Sequence, residues 1–310
     1  MGCGLRLIRW PTDLESRKLP PMINNFFTPL RYPGGKGKLA EFLKAIVVRN
    51  DLVGGAYVEP YAGGAAVAIE LLLLDYVEEI HINDLNPGIY AFWKSVLDHT
   101  DELISLIKTT SVTMDEWYAQ KAIHSSCSAD VLHLGFSTFF LNRCNRSGII
   151  KGGVIGGKAQ EGKWKLDARF NKDNLVERIE QISRFKDQIF LYNSDAVQLV
   201  ASLSTKLPKR TLYYLDPPYY VKGKGLYDNF YCHDDHASVA STMCGLDSSY
   251  WVVSYDDVEQ IRSLYSNYRA LSYRLSYSAQ TREKGGEIMF FSPLMEIPDI
   301  PSNAPMHLAA

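Results

Sequence analysis

No apolar run in the 310-residue sequence is long enough to span a bilayer. The richest stretch, AAVAIELLLL at 65–74, is too short for that and follows a glycine turn, so it reads as a buried helix. The N-terminal MGCGLRLIRWPTDLESRKLPPM has no secretory apolar core. Arg6 stands where a myristoylation signal wants Ser or Thr. Residues 1–26 are expected to form a poorly ordered extension, with Met22 a candidate native start. Cysteine is scarce and odd in number: Cys3, Cys127, Cys144, Cys232 and Cys244 show no CxxC spacing, which points to reduced thiols and a cytoplasmic protein. An excess of one charge sign is missing too. The net charge is −2, so there is no global basic field, and any nucleic-acid partner must be met by a local patch. Internal repeats and low-complexity tracts are absent.

What is present is a globular composition, 46% hydrophobic and 22% charged, in a chain long enough for one large domain or two smaller ones. AYVEP, a glycine turn with its helix, EEIHINDLN and PGIYAFWKSVLDH alternate strand and helix from 56 to 99, the order of a parallel sheet with right-handed crossovers. Pro87 is a favoured first-turn residue for the second helix. DELISLIKTT, DEWYAQKAI and ADVLHLGFSTFFLNR then read as helices without strands between them. A Gly- and Lys-rich loop or hairpin, SGIIKGGVIGGKAQEGKWK, follows, and then an amphipathic helix with Leu175, Ile179 and Ile182 on one face. Strand signals resume at IFLYNSD, TLYYLDPP, YWVVSYD and GEIMFFSP.

The turn VEPYAGG leads from strand to helix, and Asp84 lies 21 residues after Gly63. Glycines let a ligand approach the backbone, and a carboxylate ending the next strand can bind ribose hydroxyls, the logic of a Rossmann-like site. The turn lacks the GxGxxG of NAD-type sites. A ligand without a pyrophosphate suits it better, and S-adenosylmethionine is such a ligand; a plain tight turn would give the same pattern. RYPGGKGKL at 31–39 is no Walker loop, because GxxxxGKS/T is absent. Its glycines make an adaptable turn, Lys36 can meet a carboxylate, and Tyr32 can pack on a ligand.

In TLYYLDPPYYVKG, an apolar strand ends in Asp216, followed by Pro217, Pro218 and Tyr219. The exocyclic amine of adenine is a poor nucleophile, since its lone pair is delocalised into the ring. Asp216 can accept one of its N–H bonds, and the Pro217 carbonyl, stiffened by the prolines, can accept the other. Tyr219 offers a face on which the base stacks. Positioning and preorganised electrostatics then do most of the catalysis.

Taken together, these motifs resemble the Dam-type DNA adenine methyltransferases of bacteria and phages. The resemblance runs from roughly 27 to 293 and rests on seven blocks in the family's order: RYPGGK, VEPYAGGAAV, INDLNP, FFLNRCNRSGIIKGG, DARFNKDNLVERI, LDPPYY and LYDNFY…DDH. It implies an α/β fold: a Rossmann-like, mostly parallel methyltransferase sheet built from 27–98 and 186–297, with an inserted, mainly helical target-recognition domain at 99–185. The implied activity is site-specific methylation of adenine N6 in double-stranded DNA, with S-adenosyl-L-methionine as donor and the adenine flipped out of the helix. By the same resemblance Asp216, Pro217, Pro218 and Tyr219 hold the adenine, and Tyr32, Lys36, Glu59, Ala62, Gly63, Asp84, Asp195 and Asp216 form the donor site. The turn YAGGAA departs from relatives that carry a Phe and a further glycine.

From Asn142 to Lys172 eight basic residues face only Glu161 and Asp167, a local charge of +6. Phosphate neutralisation needs such a patch. Arg143, Asn145, Arg146, Lys151 and Lys158 are the expected DNA-binding residues. No metal site is expected: Cys232, His233 and His236 in YCHDDH lack a second ligand pair, and Asp234 or Asp235 reads better as a helix cap. SYSAQTREKGGE at 276–287 is either a DNA contact or a polar hairpin. The alternatives left open are N4-cytosine transfer and a catalytically dead DNA-binding relative. A monomer or weak dimer is expected, no membrane partner is, and association with a restriction or defence system is open.

Overall fold

The computed structural model describes residues 27–31, 36–126, 129–221, 231–275, 286–299 and 306–308. Its strands are β1 (Gly55–Glu59), β2 (Val77–Asn83), β3 (Ile189–Tyr192), β4 (Thr211–Leu215), β5 (Tyr250–Asp256), β6 (Arg269–Leu275), β7 (Glu287–Phe291) and β8 (Met306–Leu308). They form one eight-stranded sheet in the order β3-β2-β1-β4-β5-β7-β6-β8. β1 to β5 pair in parallel, whereas β7 runs antiparallel between β5 and β6, and β8 is antiparallel to β6. The order reverses between β1 and β4: the chain moves outward through β2 and β3, then restarts on the other side of β1.

β1, β4 and β7 are buried at every position because helices cover both faces, which is why they read as unbroken apolar runs. On one face Tyr57, Ile80, Leu212 and Tyr214 pack with α1 (Ala40–Arg49), α2 (Ala66–Leu73) and α3 (Pro87–Asp98). On the other, Val58, Tyr213, Leu215 and Val253 pack with α8 (Ala196–Ser204), α9 (His233–Cys244) and α10 (Glu259–Leu264). The apolar run at 65–74 is α2, buried nearly throughout, as its sequence implies. Its one acid, Glu70, is paired with Lys44 of α1 at 2.6 Å.

Between α3 and β3 lie α4 (Thr100–Thr109), α5 (Met114–Ser125), α6 (Val131–Cys144) and α7 (Lys172–Ser183). Their apolar faces join the same core as β1 and β2, so the insertion and the sheet share one apolar interior. α6 lies close against α3 because Gly135 has no side chain: a Cβ there would sit 2.5 Å from the Ala91 carbonyl oxygen. Phe92 and Phe139 stack across this contact at 5.6 Å. Leu175, Ile179 and Ile182 of α7 are buried together. The Gly- and Lys-rich stretch between α6 and α7 is a chain of turns, pinned by a bridge between Asn145 and Val154.

Candidate active site

Four acids stand at the carboxyl edge of four neighbouring strands. Glu59 ends β1, Asp84 follows β2, Asp195 lies just beyond β3, and Asp216 follows β4. In open α/β sheets ligands bind in the crevice at this edge, where the strand order reverses. Here that point lies between β1 and β4, flanked by the Ala62–Gly63 turn and the Asp216–Tyr219 segment.

The turn after β1 is tied down from several sides. Gly63, at φ +48, donates its N–H to Asp84 Oδ2 at 2.9 Å, while the Asn86 N–H meets Asp84 Oδ1 at 2.8 Å. Trp93 Nε1 donates to the Gly63 carbonyl at 2.9 Å. Ala62 is buried and donates its N–H to the Asn83 carbonyl at 2.9 Å. Burial pushes the Asp84 carboxyl up to about 6, against the two N–H groups that favour its charge. Asn86 caps α3, accepting from Gly88 and Ile89. Asn83, which the sequence did not single out, joins three loops: its amide donates to the Pro60 and Ser194 carbonyls at 2.8 and 3.0 Å and accepts from the Ser194 N–H at 2.9 Å. Asp195 is exposed and caps α8 through the Gln198 N–H. Glu59 is buried and accepts the Ala68 N–H at 3.2 Å; burial pushes its carboxyl up to about 8, with Asp216 adding to the rise.

Lys36, in a 3-10 turn before α1, extends its ammonium to Asp216 Oδ1 at 3.2 Å and Glu287 Oε2 at 3.1 Å, and donates to the Tyr219 hydroxyl. All three charged side chains are largely buried. Burial pulls the Lys36 pKa down, but the Asp216 and Glu287 carboxylates outweigh it and hold the pKa well above its ordinary value. Asp216 is raised, first by burial, with Lys36 opposing and Glu287 adding. Ser254 of β5 donates to Asp216 Oδ1 at 2.8 Å. Beyond Tyr219 the chain is clamped by Asp256, whose two oxygens accept the Tyr220 and Val221 N–H groups at 2.8 and 2.9 Å. Pro217 is buried, and Pro218 and Tyr219 are half-buried. Lys36 is thus brought to Asp216, whereas the family resemblance places it at the donor. Glu287, Ser254 and Asp256 carry signals visible only in hindsight: polar residues within or at the ends of apolar strands. Tyr32 lies outside the described residues, as do residues 276–285 and most of LYDNFY.

The expected DNA-binding residues divide. Arg146, Lys151 and Lys158 are exposed. Asn145 is wholly buried, and its amide is fully engaged: it accepts from Trp117 Nε1 at 2.8 Å and donates to the Ile149 and Ile150 carbonyls at 3.0 and 2.8 Å. It braces the loop and does not present itself to a base, which corrects the sequence assignment. Arg143 donates to the Arg169 carbonyl at 2.7 Å and the Pro29 carbonyl at 3.4 Å. Burial, aided by Arg31, Arg178 and Arg169, pulls its pKa down to about 9. It too is built into the fold. Trp164, which sequence reading passed over, is 63% exposed in the basic stretch, with the Lys163 ammonium 5.7 Å from its ring centre.

In YCHDDH the acid that caps α9 is Asp235, which accepts the Cys232 N–H at 2.7 Å. His236 is buried against Tyr255, at 3.2 Å from its hydroxyl, while His233 turns to Tyr220. Among the described residues no helix is long and apolar enough to cross a membrane.

The profile of the D12 class N6 adenine-specific DNA methyltransferases matches residues 32–279, well over half of the chain and both loops of the crevice. The chain belongs to this family. DNA is accordingly the substrate of this methyltransferase, and its reaction is methyl transfer to adenine. Comparison with curated proteins gives no match. Similar solved structures include an rRNA methyltransferase from Streptomyces viridochromogenes, at 13% identity over 85% of this chain and 88% of that one, with a TM-score of 0.38. Another is a protein from Legionella pneumophila, at 12% identity over 84% and 86% of the two chains, with a TM-score of 0.33.

Proposed function

We propose that the methyltransferase binds S-adenosylmethionine against the Ala62–Gly63 turn and acts on an adenine held at Asp216–Tyr219. One observation carries the reading: these two segments leave adjacent strands at the point where the sheet order reverses. The donor set fits the ligand. Among the described residues, Glu59, Asp84, Asp195 and Asp216 line the edge, against the ammonium of Lys36. Such a mouth suits a cationic sulfonium and not a diphosphate. Bound there, the donor supplies an electrophilic methyl group.

Asp84 is held rigid by two backbone N–H groups and keeps lone pairs for the ribose hydroxyls. Asp216 accepts one amine N–H, and the Pro217 carbonyl accepts the other, so the nitrogen lone pair turns toward the methyl. As that nitrogen gains positive charge, the Asp216 carboxylate stabilises it in a site with little water. The proton then leaves readily, and no strong base is required. The target base leaves the duplex, because a paired amine cannot approach the donor. Arg146, Lys151 and Lys158 meet the phosphates.

Methyl transfer from labelled donor to mixed-sequence duplex DNA tests the assignment. Asp216→Ala is expected to lose at least ~10²–10³ in rate, the typical cost of one such group. Asp84→Ala is expected to weaken donor binding in calorimetry far more than DNA binding. Near-normal turnover of the first variant, or unchanged donor affinity of the second, would overturn the corresponding role.

A further inference from the structure

Glu287 approaches the catalytic acid from a direction that the parallel strands cannot supply. β7 runs against β5, so its first residue lies beside the last residue of β5: Glu287 pairs with Asp256. This places the head of β7 at the same edge as the tails of β1 and β4. Glu287 is 5% exposed, yet it is an acid opening a fully buried strand. A carboxylate almost never sits so deep without a specific partner, and here it has the Lys36 ammonium at 3.1 Å.

The charges around Lys36 give this contact a function. The ammonium has three donors, and Asp216, Glu287 and the Tyr219 hydroxyl take them. Paired with Asp216 alone, Lys36 would neutralise the carboxylate that must stabilise positive charge on the amine. With two carboxylates on one ammonium, the buried cluster stays net negative.

We propose that Glu287 is a positioning residue for methyl transfer: it draws on the Lys36 ammonium so that Asp216 is a more basic, more strongly accepting carboxylate at the target amine. The inference rests on the assignment of Asp216 to that amine. Among the described residues the titratable groups facing Asp216 are Lys36, Glu287 and Glu59, whose carboxyl is pushed up to about 8, while Tyr57, Tyr214 and Tyr255 face it as phenols raised well above their ordinary value. Among these groups Lys36 favours its ionised form, and Glu287 opposes that pull. Removing the Glu287 charge therefore makes Asp216 a weaker acceptor that ionises at lower pH.

Single-turnover methylation of duplex DNA with saturating donor, measured across pH, tests this in E287Q, E287D and D216N. E287Q is expected to lose roughly 10-fold or more in the chemical step, each tenfold being about 1.4 kcal/mol of barrier. Its donor and DNA affinities should stay near wild type, and the acidic limb of its pH profile should move to lower pH. E287D keeps the charge and should keep the position of that limb while recovering part of the rate. E287Q with wild-type rate and an unmoved limb overturns the proposal. So does E287D with a limb displaced to lower pH, a comparison that decides the matter even where E287Q fails to fold. D216N separates the two readings: if it turns over normally, the assignment of Asp216 fails. If it is inactive while E287Q is normal, only the role of Glu287 fails.

Discussion

Ser254 donates its hydroxyl to Asp216 Oδ1 at 2.8 Å, and its oxygen lies 2.9 Å from the Tyr214 hydroxyl. A serine has one proton to give, so Tyr214 must be the donor to Ser254. The relay passes between neighbouring strands β4 and β5, and both donors are buried. Lys36 reaches the same Asp216 oxygen. The carboxyl is thereby held through Oδ1, and in the proposed function Oδ2 meets the target amine. Ser254→Ala is expected to lower the single-turnover rate roughly 10–100-fold, since small misplacements in a preorganised site cost up to that much. Donor affinity should be unchanged. Tyr214→Phe should lose less, because Ser254 still holds Asp216. Rapid-quench methylation with calorimetric donor binding checks both.

Much of this was legible in the sequence because the central strands are buried on both faces. Six apolar runs bounded by turn residues became β1 to β5 and β7, and the acids ending two of them, Asp84 and Asp216, stood out against their surroundings. β6 was missed because Arg269, Ser272 and Arg274 break its pattern toward the sheet's edge. Glu287 and Asp256 were missed for another reason. Their significance depends on β7 entering the sheet backwards, and no local pattern encodes which strands become neighbours. Asn145 was misread because an Asn beside arginines has the same appearance whether it reads a base or braces a loop; only its burial separates the two.

That brace makes a stability prediction. Asn145→Ala would leave the Trp117 N–H and the Ile149 and Ile150 carbonyls without this partner. Each buried polar group so stranded costs about 1–3 kcal/mol, so a clear loss in urea unfolding is expected. Lys158→Ala, on an exposed side chain, should stay within about ±0.5 kcal/mol of wild type. It should instead weaken DNA binding across sequences and reduce the salt slope by about 1. An Asn145 variant of wild-type stability but weakened DNA binding would restore this residue to the interface.

Glu59 gives a pH dependence with a definite sign. Its folded-state carboxyl titrates at about 8, far above the ordinary glutamate value. Between those two values the unfolded chain has released the proton and the folded protein still holds it, so this group makes the fold less stable as pH rises. Glu59→Gln keeps an acceptor for the Ala68 N–H but cannot ionise. Its stability relative to wild type should therefore improve steadily from about pH 5 to pH 8. Thermal melts of the two proteins at matched pH check this; parallel curves would mean that Glu59 is already ionised in the fold.

Tyr219 combines two roles that substitution can separate. In the proposed function its ring is the surface offered to the adenine, and its hydroxyl is a partner of the Lys36 ammonium. Tyr219→Ala removes both, and should lose roughly 1–3 kcal/mol of base stacking together with the hydroxyl that helps hold Lys36. Tyr219→Phe keeps the ring, so affinity for duplex DNA carrying an extruded base should remain near wild type. It strips one of three partners from the ammonium, which then leans harder on Asp216 and weakens it as an acceptor. The expected result is a slower chemical step in Phe with near-normal DNA binding, and loss of both in Ala. Binding to duplexes with an abasic or mismatched partner opposite the target adenine, set beside single-turnover rates, distinguishes the two effects. If Phe matched wild type in rate, the hydroxyl contact would have no part in catalysis; if Ala bound such duplexes as tightly as wild type, the base would be stacking elsewhere.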